Sequence, residues 1–186
     1  MKSTRKKVVF FVIGLSLILA VVPVIAKGPS GPAGKSNVGH LYLVEKDPQT
    51  WDVIDEGAWG KIKYNLAGPE FDFVFNGHEL EPDMDYTLIY YPDPWPGNGL
   101  ICLGSDTADE YGNVHIKESV DTGHLPAPYD LNADPNTAPF EMTGAKIWLV
   151  TSADVNCTDA YMAGWTPTEY LFEYARIWFD ATDAEE

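Results

Sequence analysis

Asp130, Asn132, Asp134 and Asn136 fall at alternate positions, and Glu141 stands twelfth counting from Asp130. This is the donor spacing of an EF-hand loop. Its ligands are all oxygen, which suits a hard cation and not zinc or copper. Pro135 stands where that loop needs a glycine for its sharp turn, and the flanks have strand or loop character instead of helices. Two expectations stand side by side: an Asx-turn loop on an acidic surface, or calcium held in a non-EF geometry. Calcium is the one cofactor the sequence suggests. Asp106, Asp109 and Glu110 ahead of Gly112 also present oxygens, but turn chemistry accounts for them.

A second segment, Tyr90-Tyr91-Pro92-Asp93-Pro94-Trp95-Pro96-Gly97-Asn98-Gly99, carries a different chemistry. Its three prolines exclude regular sheet, so Trp95 belongs to a stiff loop. Aromatic side chains on a rigid loop lose little entropy on binding, and their faces stack on sugars or on partner side chains. Tyr91, Trp95 and Trp59 are the candidate ligand-binding residues; Trp59 shares a strand face with Lys61 and Lys63. The alternative for Trp95 is that it folds back to cap one end of the domain.

Catalytic signatures are sparse. There is no G-x-S-x-G elbow and no C-x-x-C pair, and Gly34-Lys35-Ser36 lacks the first glycine of a phosphate-binding loop. His40, His78, His115 and His124 are scattered without ligand spacing, and His78-Glu79 lacks the second histidine of a zinc-protease helix. No catalytic residue is assigned, and a non-enzymatic protein is expected. The 28 acidic residues guarantee chance carboxylate pairs, so a secreted carboxylate-dependent hydrolase stays open as an alternative.

Lys2, Arg5, Lys6 and Lys7 precede an uncharged run from Val8 to Ala26 that ends in Val24-Ile25-Ala26. Residues 1–26 therefore have the pattern of a signal peptide. A retained anchor is the alternative, and membrane contact is expected only through that uncleaved segment. Residues 27–37, rich in Gly, Pro and Ser, form a flexible linker. Cleavage leaves eight Lys and Arg against 28 Asp and Glu, a charge of −20. Such a surface repels nucleic acid and anionic lipid and stays hydrated in a saline exterior. In an exported chain the two cysteines, Cys102 and Cys157, are expected to form a disulfide; two separate thiols are the alternative.

These groups must be positioned by residues 38–183, read as one domain. The apolar period there is two: His40 to Val44, Ala58 to Leu66, Phe71 to Asn76, Thr87 to Tyr91, Leu100 to Leu103, Val114 to Lys117, Ala145 to Thr151 and Tyr170 to Phe179. Residues 109–113 are turn chemistry, so the strands on either side of them are expected to form a hairpin. About eight strands with prolines between them predict an all-β fold, an antiparallel two-sheet sandwich of Greek-key or immunoglobulin-like type.

Leu80-Glu81-Pro82-Asp83-Met84-Asp85-Tyr86 resembles the tyrosine corner of fibronectin type III-like sandwiches, which implies a structural role for Tyr86. Over a longer span, NVGHLYLVEKD, GAWGKIKYN, FDFVFNGHEL, YTLIYYPDPWPGNGLICLG, GAKIWLV and GWTPTEYLFEY make the chain similar to a group of secreted proteins of methanogenic archaea. That archaeal-like resemblance implies export and an extracellular or cell-surface setting, and carries over no activity and no site residues. The expected function is a non-catalytic extracellular or cell-envelope interaction domain whose partner is a protein or a glycan. A calcium-stabilised carbohydrate-binding module is the alternative of a different class.

Overall fold

Alternation of apolar and polar residues along β2 (Trp59–Asn65) and β4 (Phe71–His78) sends Gly60, Ile62 and Tyr64, and Phe71, Phe73 and Phe75, to one buried face. Asp72 and Asn76 point to water. The structure, a computed structural model, describes residues 36–127, 130 and 144–183.

A five-stranded antiparallel sheet has the order β11 (Phe172–Glu173), β1 (Val38–Val44), β2, β4, β7 (Val114–Val120). A three-stranded antiparallel sheet has the order β6 (Ile101–Thr107), β5 (Asp85–Tyr91), β8 (Lys146–Thr151). Leu41, Leu43, Ile62, Phe71 and Phe75 of the first sheet share one core with Leu88, Tyr90, Leu103, Ile147 and Leu149 of the second. The fold is thus an all-β sandwich. Among the described residues there are twelve strands: seven have six residues or more and the other five have two residues each. The short ones are β3 (Ala67–Gly68), paired in parallel with β12 (Asp180–Ala181), and β9 (Val155–Asn156), paired with β10 (Tyr161–Met162), besides β11. Tyr86 is buried, and its Oη accepts a hydrogen bond from the Glu81 N–H at 3.3 Å, which ties the start of β5 to the crossover before it.

Two expectations are corrected. The strands around residues 109–113 do not form a hairpin, because β6 pairs with β5 and β7 pairs with β4. The turn carries the chain from one sheet to the other. Turn chemistry specifies a reversal, whereas the sheet each strand joins depends on where its apolar face finds a partner. Residues 170–179 are not one long strand either. Leu171 bridges Leu149, β11 pairs with β1, and Ile177 and Phe179 bridge Ala145 and Leu125. The segment straps the two sheets together across their open side, and a bend at residues 174–175 lets it change partners.

β5 is buried at every position from Tyr86 to Tyr91. Tyr86, Leu88 and Tyr90 face the main core, while Ile89 and Tyr91 enter a second, smaller core with Leu100, Trp148, Val150, Met162, Tyr170 and Phe172. The outer face of the small sheet is therefore covered too, which explains a continuous apolar run in place of alternation.

Candidate functional site

That second core does not close completely. At its rim an open cleft of about 640 Å³ is lined by Trp51, Tyr91, Trp95, Trp148 and Trp165 together with Lys46, Asp93, Lys146, Glu173 and Arg176. Four of the six tryptophans in the chain converge here. The volume falls in the range of small-molecule sites, roughly 300–1,000 Å³.

Register between β5 and β8 makes the floor. Ile89 pairs with Trp148 and Tyr91 with Lys146, so all four side chains stand on the outer face. Tyr91 and Trp148 stack with ring centroids 4.0 Å apart and planes 11° from parallel. Burial, and after it the charge of Asp93, pushes the Tyr91 hydroxyl up to about 12, so the phenol is neutral at physiological pH. Trp148 Nε1 donates to Glu173 Oε2. Burial also pushes the Glu173 carboxyl up, against the main-chain hydrogen bond and the Lys46 charge that oppose it.

The walls come from three connections. The proline-rich loop brings Trp95, 52% exposed, to within 5.4 Å of Trp165 with the rings nearly perpendicular. Gly97 closes that loop at φ +74°, where its N–H donates to the Pro94 carbonyl at 2.8 Å; an added Cβ would strike the Tyr91 ring. Trp51, on the loop after β1, packs edge-on against Phe172 at 5.1 Å. Lys46 Nζ donates to the Glu173 carbonyl at 2.8 Å, and Lys146 pairs with Asp93 at the rim.

Trp165 is held by the segment after β8. The Asp154 carbonyl accepts the N–H groups of Ala163 at 2.8 Å and Gly164 at 3.1 Å. Asp154 Oδ2 accepts the hydroxyls of Thr151 at 3.0 Å and Tyr170 at 2.5 Å, and Tyr170 Oη in turn accepts the Thr166 N–H at 3.1 Å. Any side chain at Gly164 would collide with the Asp154 carboxylate. The Cys102–Cys157 disulfide anchors the same segment to β6.

Burial raises the Asp154 carboxyl, but hydrogen bonds from Tyr170, Thr166 and Thr151 outweigh it and hold the group below 3.8. A carboxyl depressed on folding stabilises above its unfolded pKa, and that contribution is lost as pH falls through the lower folded value. Asp154→Asn is therefore expected to lower stability at neutral pH by on the order of 1–2 kcal/mol. Its melting temperature should converge on that of the wild type as pH drops below 3.8. Parallel curves for the two proteins down to pH 2 would show that the hub does not depend on the charge.

Of the residues singled out from the sequence, Tyr91 and Trp95 lie in the cleft. Trp59 does not: it packs on His78 at 4.6 Å and lines a separate groove with Val53, Ile54 and Glu79. Trp51, Trp148 and Trp165 were not legible as site residues, because nothing local marks them; they meet Tyr91 and Trp95 only through long-range pairing. Asp130 is buried, and its Oδ2 accepts the Tyr90 hydroxyl at 3.0 Å. Asn132, Asp134, Asn136 and Glu141 lie outside the described residues. No group of three or more His, Cys, Asp or Glu among the described residues is arranged to hold a metal ion. If the 130–141 loop takes calcium, thermal unfolding at constant ionic strength should show a higher melting temperature in calcium than in magnesium or chelator, by mass action. Equal values in all three media would reject that site.

No family model, curated protein or solved structure matches this chain.

Proposed function

We propose that the chain is an exported, non-catalytic binding domain that holds a saccharide in the tryptophan cleft. The observation that carries this reading is the convergence of Trp51, Tyr91, Trp95, Trp148 and Trp165 with charged side chains at one open rim. Aromatic faces accept the C–H faces of pyranose rings, and the polar groups beside them accept and donate to hydroxyls. Trp95 and Trp165 are each about half exposed although each indole is large and apolar, which is the condition of a wall awaiting a partner. The Cys102–Cys157 disulfide suits an oxidising, extracellular-type compartment. No helix among the described residues is long and apolar enough to cross a membrane.

The test is a glycan array followed by titration of intrinsic tryptophan fluorescence. Trp95→Ala is expected to weaken the bound saccharide by about 10–100-fold, as a stacking contact worth about 1–3 kcal/mol implies, and to leave the melting temperature unchanged within about 2 °C. Absence of any array signal, or a Trp95→Ala protein that binds like the wild type, rejects the cleft as a glycan site.

A second reading has one observation in its favour. Asp93 and Glu173 both line the cleft, one paired with Lys146 and the other raised by burial. Two carboxyl groups in unlike environments are the arrangement of a glycoside hydrolase. Release of reducing ends from the arrayed polysaccharides, abolished in Glu173→Gln, would establish turnover; binding without release favours the non-catalytic reading.

A further inference from the structure

The charged side chains that line the cleft are engaged within the protein. Lys146 pairs with Asp93, and Lys46 Nζ donates to the Glu173 carbonyl. Glu173 Oε2 accepts the indole N–H of Trp148, and Arg176 has a partner of its own. Tyr91 is different. It lines the cleft and is only 3% exposed, yet its hydroxyl has no hydrogen-bond partner in the chain. Tyr86, Tyr90 and Tyr170 are buried as well, and the hydroxyl of each is bonded. Tyr64 is a buried tyrosine without such a bond, but it lies against Gly39 in the five-stranded sheet, outside the aromatic cleft. A hydroxyl buried without a partner costs free energy, so one placed at a cleft calls for an explanation.

The Tyr91 ring is fixed in place. Trp148 stacks on it, and Gly97 abuts it so closely that an added Cβ would lie 2.4 Å away. The walls beside it are joined by main-chain bonds, from the Gly99 N–H to the Ala160 carbonyl at 2.9 Å and from the Met162 N–H to the Pro96 carbonyl at 2.8 Å. The phenol therefore cannot swing out to find another partner. Asp93 adds negative potential at its oxygen, which disfavours an anionic group there.

We infer that the Tyr91 hydroxyl is the polar anchor of the cleft, hydrogen-bonded to a hydroxyl of an uncharged saccharide whose ring lies on the tryptophan wall. This rests on the saccharide reading above and narrows it to neutral sugars. A sugar hydroxyl both donates and accepts, so it satisfies the phenol in either direction. Stacking tolerates many rings, whereas the anchor fixes which hydroxyl points inward. A sugar without that hydroxyl leaves the phenol unpaired and is rejected. The effects on stability and on binding then have different signs. Tyr91→Phe keeps the ring and its stack, so the free protein loses no bond while the bound saccharide loses one. A hydroxyl that served the fold would cost stability on removal.

The experiment uses the mature protein. Cellotetraose, xylotetraose, mannotetraose and β-1,4-galactotetraose are titrated by calorimetry into wild type, Tyr91→Phe and Tyr64→Phe. At least one is expected to bind the wild type. Tyr91→Phe should weaken that probe about 3–10-fold, the loss of one neutral hydrogen bond. Its melting temperature should stay within about 2 °C of the wild type or rise. Tyr64→Phe, which removes a buried hydroxyl elsewhere, should bind as the wild type does. Monodeoxy analogues of the bound sugar complete a double-mutant cycle, and one of them should bind wild type and Tyr91→Phe equally. Equal affinity of wild type and Tyr91→Phe for the parent probe overturns the inference and leaves the saccharide reading standing. A lowered melting temperature in Tyr91→Phe makes the hydroxyl structural, and a full affinity ratio kept by every deoxy analogue removes the anchoring contact; either result also overturns it. Silence of all four neutral probes rejects the inference, and silence of the glycan array with it rejects the saccharide reading as well.

Discussion

Replacing Trp148 with alanine is expected to remove about 3–5 kcal/mol of stability and to abolish ligand binding at the cleft. The indole is only 6% exposed and lies at the meeting point of the second core. It stacks on Tyr91, meets Phe172 edge-on at 5.2 Å and approaches Trp165 to 6.2 Å. Truncation leaves a cavity between the small sheet and its cover, and neighbours held by register cannot collapse into it. It also strips Glu173 of its indole donor, leaving a half-buried carboxyl short of a partner. The two losses separate in Trp148→Phe, which keeps most of the volume but no N–H donor. Urea unfolding should place the phenylalanine variant between wild type and alanine, with binding weakened in step with the altered floor. An alanine variant within 1 kcal/mol of the wild type would show that the outer face of the small sheet is not a core.

The second large effect concerns the disulfide. Cys102→Ser with Cys157→Ser opens a closed loop of 55 residues, for which the chain-entropy model assigns about 4 kcal/mol. Against a typical total of about 5–15 kcal/mol this is a large share. The consequence is also local. Cys157 sits in the turn between β9 and β10, and the segment continuing from it carries Trp165. Without the link, Trp165 is held by the Asp154 and Tyr170 hydrogen bonds and by main-chain contacts of residues 160 and 162 to the proline-rich loop. Hydrogen exchange of the reduced protein should rise first in residues 155–166 and stay low in β2 and β4. Affinity for the cleft ligand should fall before global unfolding begins. Uniform loss of protection across the whole domain would mean that the bridge stabilises the sandwich and not the wall of the site.

Other features divide according to the range of the interactions that produce them. Period-two patterning was enough for the sandwich class, because a strand face must be buried whatever covers it; Phe71, Phe73 and Phe75 announce their side of the sheet by spacing alone. The Cys102–Cys157 pairing followed from the expectation of export together with a count of two cysteines. The stiffness of the proline-rich loop, and hence the presentation of Tyr91 and Trp95, is a local property of the backbone. The partners of those residues are not. Trp51 follows β1, Trp148 lies within β8 and Trp165 comes after β10, and no spacing rule relates them to Trp95. They meet because β5 takes β8 as its neighbour and because residues 170–181 cross between the sheets. The same dependence explains why Trp59 stands apart from the cleft: its strand pattern is like that of a site residue, but its neighbour is His78. It also explains the separation of β6 from β7, where a local turn was legible and the destination of each strand was not. Local chemistry thus determined the strands, the disulfide and the rigid aromatic loop. Only tertiary pairing decided that four tryptophans and three of the scarce cations share one cleft, since burial energy depends on which faces meet and not on their order along the chain.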